Sequence, residues 1–309
     1  MIMKADSTYH QPVMAAEAVE GLAIRPHACY VDATYGGGGH SAHIMAQLGP
    51  QGRLFAFDRD PDAWRYMPED ERFWAIHHDF TFMERFLRYG GQPQVDGILA
   101  DLGVSSHQFD TGERGFSFRF EGPLDMRMDT QSGTTAAQLL QELQEDDLAQ
   151  LLGRYGDVER PRRVARHLAA YRAHRPLDTT TALREAVEPL TMAPSKRHKF
   201  MARIFQALRI AVNNELQALE TFLEQSVRCL RPGGRLVVIS YHSAEDRQVK
   251  QFLQTGKLAG PLEKDVFGQP QRPLEPLHRK PYMAAEAEQE RNPRARSARL
   301  RIAEKKAAA

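Results

Sequence analysis

Cysteine is almost missing from this 309-residue sequence, in which Cys29 and Cys229 are the only two. They lie far apart, and their spacing matches neither a set of zinc ligands nor a C-x-x-C redox pair. So few cysteines cannot build a disulfide-stapled secreted domain. We therefore predict no metal site and a reducing compartment.

Long apolar runs are missing as well. No stretch approaches the roughly 18 apolar residues that a membrane span requires, and no apolar segment typical of a secretory signal follows Lys4. We expect a cytoplasmic protein with no membrane partner.

A strong net charge is the third absence. Forty-one Lys and Arg residues face 40 Asp and Glu residues, which gives a net charge of +1. Any affinity for nucleic acid must therefore come from local clusters of basic residues. With 42% hydrophobic and 26% charged residues the composition is that of a globular protein, and the length allows two domains.

The first hundred residues alternate short apolar runs with stretches of helical length. Such alternation predicts a doubly wound α/β domain with a parallel sheet. Three of the runs lead into an aspartate: Asp32, Asp58 and Asp101. The predicted strands are 30–31, 54–57, 73–76 and 97–100, and the predicted helices between them include 41–48 and 63–67.

The next strong strand, 235–240, begins much later than one crossover connection requires. The intervening sequence has helical periodicity, which predicts an inserted all-helical domain. Helix starts are predicted at Thr134 or Thr135, at Asp146 or Asp147, at Pro161 and at 179–181. The predicted domains are 1–110, 111–207 and 208–309, the first and last forming one sheet.

The remainder of the chain offers weaker signals. One long amphipathic helix is predicted over 200–223, and the Pro-Gly-Gly at 232–234 should end it. The segment 257–281 is rich in Pro and Gly and is predicted to be a loop, and 297–302 a final strand.

A glycine-rich loop at 36–39 lies between the first predicted strand and a helix. Only glycine lets a backbone approach a ligand this closely and adopt positive φ freely. Asp58, at the end of the second strand, could accept both hydroxyls of a ribose. Together they predict an adenosyl pocket, although the spacing from Gly37 to Ala42 also fits a nicotinamide dinucleotide. A Walker A phosphate loop is excluded, because His40 stands where its lysine would be.

A second loop, 101–108, leaves the end of the fourth strand, where open α/β sheets bind ligands. The Asp101 carboxylate could face the ammonium of a methionine moiety, or accept a hydrogen bond from an amine that is being methylated. The alternative is that Asp101 only caps a local turn.

Together these motifs resemble the ribosomal RNA small subunit methyltransferase H family, the bacterial 16S ribosomal RNA cytosine-N4 methyltransferases. The resemblance spans nearly the whole chain. It is carried by His10–Val13, Asp32–Ser41, Phe57–Pro61, Asp101–Gln108, Arg114–Phe118, Gly122–Asp129, Phe205–Leu216, His242–Arg247 and Asn292–Lys305.

The resemblance implies a Rossmann-like class I S-adenosylmethionine-dependent methyltransferase sheet with a helical insert that recognises RNA. Its implied substrate is one cytosine in the decoding (P-site) region of 16S rRNA within the small subunit. Asp58 would hold the ribose, Phe80 would pack the adenine and the glycine backbone would face the methionine. The implied cofactor-binding residues are Gly38, Gly39, His40, Asp58, Phe80, Asp101 and Gln108.

The exocyclic N4 of cytosine is a poor nucleophile, because its lone pair is delocalised into the ring. Acceptors on its N–H groups would localise that pair, and we expect Asp101 and the carbonyls of 102–104 to supply them. Candidates for holding a flipped base are Arg114, Phe116, Phe118, Tyr241 and His242. Candidates for phosphate contact are Lys196, Arg197, Lys199, Arg203, Arg291, Arg294, Arg296, Arg299 and Arg301.

Two other classes remain open from the residues alone: a nicotinamide oxidoreductase, and a non-catalytic RNA-binding protein on a Rossmann-like scaffold.

Overall fold

A computed structural model describes residues 12–191 and 194–307. His10 and Gln11 of the family motif lie outside these residues. The chain divides into two compact units, Met1–Gly103 with Leu216–Ala309, and Val104–Glu215. The division falls slightly outside the predicted 111–207 because Val104, Phe109 and Val212 pack into the core of the second unit.

The first unit holds a seven-stranded sheet within the described residues, in the order β3-β2-β1-β4-β5-β7-β6. The first five strands pair in parallel, and the last two antiparallel. The predicted doubly wound α/β fold is confirmed. The strands are β1 Cys29–Asp32, β2 Arg53–Phe57, β3 Phe73–Ile76, β4 Val95–Asp101, β5 Leu230–Ser240, β6 Leu274–Pro276 and β7 Arg299–Lys305.

Helices precede, connect and follow these strands. In chain order they are α1 Ala15–Leu22, α2 Gly39–Met45, α3 Met83–Tyr89, α4 Ser106–Asp110, α5 Ala136–Glu142, α6 Glu145–Gly156, α7 Pro161–Arg172, α8 Thr180–Val187, α9 Pro194–Asn213, α10 Glu215–Cys229, α11 Ser243–Thr255 and α12 Glu286–Arg291. Short 3₁₀ turns at 61–66 and 80–82 follow β2 and β3. No helix among residues 12–191 and 194–307 has both the length and the apolar character needed to traverse a bilayer.

The sheet is apolar on both faces, as a parallel sheet covered by helices must be. Along β1, Tyr30 packs into one core with Leu22 of α1, and Val31 packs into the other with Phe222 of α10. Both cysteines are free, buried thiols, and burial raises the pKa of Cys29 to about 12.

The second unit is helical and has its own core. Several predicted helix starts are confirmed: Thr135 caps α5 with a capping box, Pro161 is the first residue of α7, and Thr179 caps α8. The predicted start at Asp146 or Asp147 was wrong, since α6 begins at Glu145. Acidic residues in a first turn favour the helix dipole whether or not one of them is the cap.

Two further predictions were wrong. The single helix over 200–223 is two helices, broken at Asn214, whose φ of 50° is left-handed. The cause lies next to the break: buried Asn213 donates to the Met126 carbonyl at 2.7 Å and accepts from the Met128 N–H at 2.8 Å. The predicted loop 257–281 contains β6, a three-residue edge strand anchored by buried Leu274.

Two glycines of α6 provide a matched test of how closely α6 approaches α9. A Cβ on Gly156 would lie 2.4 Å from the Arg203 carbonyl oxygen, whereas one on Gly153 would lie an ordinary 3.4 Å from Pro161. We expect Gly153→Ala to stabilise the protein by about 0.5–1 kcal/mol through helix propensity. Gly156→Ala should destabilise it by about 1–3 kcal/mol through overpacking. Urea unfolding of both variants checks this, and equal shifts would contradict the close approach.

Candidate active site

The carboxyl ends of β1, β2, β4 and β5 meet at one edge of the sheet. The strand order reverses between β1 and β4, which makes this edge a topological switch point where such folds bind ligands. Asp32 ends β1, Asp58 follows β2, Asp101 ends β4 and Tyr241 follows β5. Sheet topology therefore brings three acids together from distant parts of the sequence.

The glycine loop starts at this edge and turns into α2. Gly36 and Gly38 have φ of 53° and 75°, in the left-handed region that favours glycine. A Cβ on Gly38 would lie 2.7 Å from the Tyr35 hydroxyl, and one on Gly39 would lie 2.9 Å from the Pro12 ring. The loop is closely packed on its protein side, so larger residues do not fit at either position.

The side chain of Asp58 supports the glycine loop. Its two carboxylate oxygens accept the N–H groups of Gly36, at 2.7 Å, and Asp60, at 2.8 Å. Burial raises the pKa of Asp58 to about 6, although these two hydrogen bonds work in the opposite direction. Each oxygen keeps a further lone pair that a ribose hydroxyl could use.

Asp32 is the acid whose role sequence reasoning missed. It is buried and accepts the Ser41 hydroxyl at 2.7 Å and the Thr34 N–H at 3.1 Å. Thr34 precedes the glycine loop, and Ser41 lies in the first turn of α2. Its position at the end of β1 could have indicated this role, because the donors lie in the residues that follow it in the sequence.

Asp101 is surrounded by polar partners. Its backbone N–H donates to the Thr34 hydroxyl at 2.7 Å, and its carboxylate accepts the Tyr241 hydroxyl at 2.7 Å. Its other oxygen lies 3.8 Å from Nδ1 of buried His40. Because the Val13 carbonyl, 3.0 Å from His40 Nε2, can only accept, Nε2 carries a proton and Nδ1 faces Asp101.

These contacts affect the pKa values of Asp101 and Tyr241. Burial raises the pKa of Asp101 to about 6, while the positive charge of His40 and the Tyr241 hydrogen bond limit the rise. Burial and the Asp101 charge raise the pKa of Tyr241 well above its usual value, so it remains a protonated donor. Tyr241 was a candidate for stacking the target base, and here its hydroxyl is bound to Asp101.

Phe80 lies beyond the end of β3. It is half-buried, with its ring 5.3 Å from Phe222 in an edge contact. Asp79 before it caps the 3₁₀ turn and forms an ion pair at 3.1 Å with Arg59. Packing of adenine on Phe80 remains a prediction.

Stacked aromatic rings also pack next to the glycine loop. Tyr35 stacks on Trp64 at 4.7 Å, and Trp64 stacks on His77 at 4.6 Å. Trp64 also donates to the Asp58 carbonyl at 3.3 Å. His78 packs against Phe82 and Phe86 instead, so the two adjacent histidines have separate surroundings.

Gln108 belongs to the second unit. Its amide oxygen accepts the Ser105 N–H at 3.0 Å and its own N–H donates to the Ser105 hydroxyl at 3.1 Å, which forms the capping box of α4. Its assignment to the cofactor remains a prediction.

Several candidates for RNA contact have structural roles. Arg114 is buried and donates to the carbonyls of Arg127 and Met128, each at 3.0 Å, and Phe116 is buried in the same unit.

Arg301 is buried against Asp246, which also binds Arg299 at 2.8 Å. Burial works to raise the pKa of Asp246, but the two guanidinium groups outweigh it and hold the pKa below its usual range.

Comparison with known proteins decides among the classes left open. The sequence model that describes the MraW methylase family matches residues 7–306. The chain belongs to the MraW methylase family. It is an S-adenosylmethionine-dependent methyltransferase, as the sequence resemblance implied, and neither a nicotinamide oxidoreductase nor a non-catalytic scaffold.

The relatives of this MraW methylase match over nearly their full length. Ribosomal RNA small subunit methyltransferase H of Parabacteroides distasonis is 49% identical over 301 residues, which cover 97% of this chain and 98% of the relative. The protein of that name from Porphyromonas gingivalis W83 is 50% identical over 305 residues, with 97% and 98% covered. A solved rRNA methylase from Streptococcus thermophilus aligns over 95% of this chain and 94% of its own, with 12% identity and a TM-score of 0.42.

The residues at the sheet edge fit this cofactor. S-adenosylmethionine carries a sulfonium and an ammonium against one carboxylate, so it is a net cation. Burial raises the pKa values of Asp58 and Asp101 to about 6. A nearby positive charge favours the ionised form of both carboxylates, so a cationic ligand is stabilised beside them. The pyrophosphate of a dinucleotide would instead be repelled by them.

This charge match predicts a pH effect on cofactor preference. S-adenosylhomocysteine lacks the sulfonium, so only S-adenosylmethionine gains from that charge. As pH falls from 7.5 to 5, Asp58 and Asp101 take up protons and lose the negative charge that favours the sulfonium. The preference for S-adenosylmethionine over S-adenosylhomocysteine should fall by about tenfold, which is about 1.4 kcal/mol.

Calorimetric titration of both ligands at each pH measures this preference. Asp101→Asn should show part of the loss already at pH 7.5. A preference that stays constant across this pH range would contradict a sulfonium site beside these acids.

Proposed function

We propose that this protein methylates N4 of one cytosine in the decoding (P-site) region of 16S rRNA, within the small ribosomal subunit. The supporting observation is the Asp101 carboxylate at the end of β4, which accepts the Tyr241 hydroxyl while the backbone N–H of Asp101 donates to the Thr34 hydroxyl. The close relatives carry the name of a small-subunit rRNA methyltransferase. A cytoplasmic location is part of the proposal, because the substrate is assembled there.

S-adenosylmethionine supplies a methyl group already activated by its sulfonium, so the protein mainly aligns the acceptor. Asp101 accepts an N–H of the cytosine amino group, which localises the lone pair on N4. As N4 bonds to the methyl carbon, the bond from that carbon to sulfur breaks and its electron pair stays on sulfur, which leaves neutral S-adenosylhomocysteine. N4 becomes cationic and must lose a proton. Asp101, with a pKa near 6, is ionised at neutral pH and takes that proton.

Asp58 binds the ribose hydroxyls through its remaining lone pairs, and the backbone of Gly38 and Gly39 contacts the methionine portion. His40 sets the distance between the loop and Asp101. Phe80 packs the adenine and Gln108 completes the cofactor contacts in this proposal.

The helical insert, 111–207, is proposed to recognise the RNA. At the start of α9, Lys196 and Lys199 are exposed, whereas Arg197 forms an ion pair with Glu188 and Arg203 one with Glu159. The two lysines are therefore the stronger candidates for phosphate contact.

The central test is methyl transfer from labelled cofactor to small subunits purified from cells that lack the enzyme. The product nucleoside is identified by liquid chromatography and mass spectrometry. We expect N4-methylated cytidine at a single position. Label in another nucleoside, or in large subunits only, would overturn the proposal.

Two variants test the role of Asp101. At saturating cofactor, Asp101→Asn should lower kcat by about 10²–10⁴-fold, the usual contribution of a positioned base. Tyr241→Phe keeps the carboxylate but removes the hydrogen bond that lowers its pKa. Because the positive charge of the bound cofactor favours the ionised carboxylate, the wild-type rate should rise with pH at or below about 6, and Tyr241→Phe should move this rise to higher pH.

A pH–rate profile of each enzyme with small subunits measures both effects. Full turnover of Asp101→Asn, or the same profile for wild type and Tyr241→Phe, would contradict the proton-acceptor role.

A further inference from the structure

The opposite edge of the same sheet carries a group of arginines that the methyl-transfer site does not use. A surface cavity of about 480 Å³ lies where α3 and α10 end and where β4 and β5 begin. Its basic lining residues are Arg88, Arg228 and Arg231, and Gln92 and Gln94 contribute amide groups. We call it the arginine cavity.

Two acids hold these arginines in place. Glu84 accepts Arg88 at 2.6 Å through one oxygen and Arg228 at 2.8 Å through the other. Buried Asp96 accepts Arg231 at 2.9 Å and also binds Arg25, which is not a lining residue. The three guanidinium groups of the lining therefore share two carboxylates, which leaves an excess of positive charge at the cavity.

The pairing leaves most of the donors unused. A guanidinium group has five N–H donors in a planar fork, and Arg88, Arg228 and Arg231 each use one in these contacts. Their side chains are between 43% and 69% exposed. Arginines that are oriented by an acid and still open to solvent suit the oxygens of a phosphate.

We infer that the arginine cavity binds a phosphodiester of the RNA substrate. Because β4 runs from this edge to Asp101 at about 3.3 Å per residue, the two sites are roughly 20 Å apart. The bound phosphate thus belongs to a part of the RNA several nucleotides from the target base, or to another strand. The ribosomal source rests on the proposed function, whereas the affinity for phosphate does not.

The salt dependence of RNA binding distinguishes arginines that contact phosphate from arginines that only form ion pairs within the protein. Each phosphate that is no longer neutralised should reduce the slope of log affinity against log salt by about 0.7 to 0.9, and the inferred site holds one. We expect Arg88→Gln with Arg228→Gln to reduce the slope for small subunits by about one and to raise KM by about tenfold. The kcat and the affinity for S-adenosylmethionine should not change, because neither residue touches that site.

Arg85→Gln is the matched control. Arg85 is an exposed arginine of α3 outside the cavity lining, so its variant removes the same single charge from the same helix as Arg88→Gln. An equal loss of slope in this control would show a diffuse charge effect and overturn the site. Arg88→Gln alone removes only an exposed i,i+4 pair and should fold normally, which keeps the test valid if the double variant is unstable.

Direct binding separates this inference from the proposed function. A short single-stranded RNA and inorganic phosphate are each titrated into the full-length protein, and the arginine Nε–H signals are followed by nuclear magnetic resonance. We expect RNA to shift the signals of the cavity arginines, even if no methyl transfer occurs. Unmoved signals would overturn the site, and tighter binding of free phosphate than of RNA would overturn the assignment to RNA.

Discussion

The candidate active site depends on carboxylates that are buried or half-buried at strand ends and bound there to the neighbouring loop. Asp58 holds Gly36 across two strands, and Asp32 holds Thr34 and Ser41. Desolvation makes these acids costly, as the raised pKa of Asp58 indicates. The hydrogen bonds to these carboxylates offset part of that cost, and they fix the shape of the glycine loop before a ligand binds.

Much of the fold could be predicted because its signals are local. Apolar runs followed by an aspartate gave the parallel strands, and Thr135 gave a helix start through its own capping box. The break at Asn214 could not be predicted, because it depends on Asn213 binding a loop some 85 residues earlier in the sequence. The edge strand that contains Leu274 forms only by pairing with β7, so its short Pro-rich sequence resembles a loop.

The site could be predicted only in part, for the same reason. Strand-end acids are visible in sequence, so Asp58 and Asp101 were identified. The partner of Asp101 was not, because Tyr241 reaches it only once β5 lies beside β4. Arg301 resembled a phosphate ligand until the structure showed it buried against Asp246. A charged residue in a sequence does not reveal whether its partner is another residue or a ligand.

The net charge of +1 conceals two opposite local fields on one sheet. The carboxyl edge gathers Asp32, Asp58 and Asp101, which favour a cationic cofactor, and the amino edge of β4 and β5 presents arginines that favour a polyanion. The edges are separated by roughly 20 Å along β4, well beyond the screening length of about 8 Å at physiological salt. Each field is therefore largely screened from the other, so the acids of the candidate cofactor site need not repel RNA at the proposed arginine cavity.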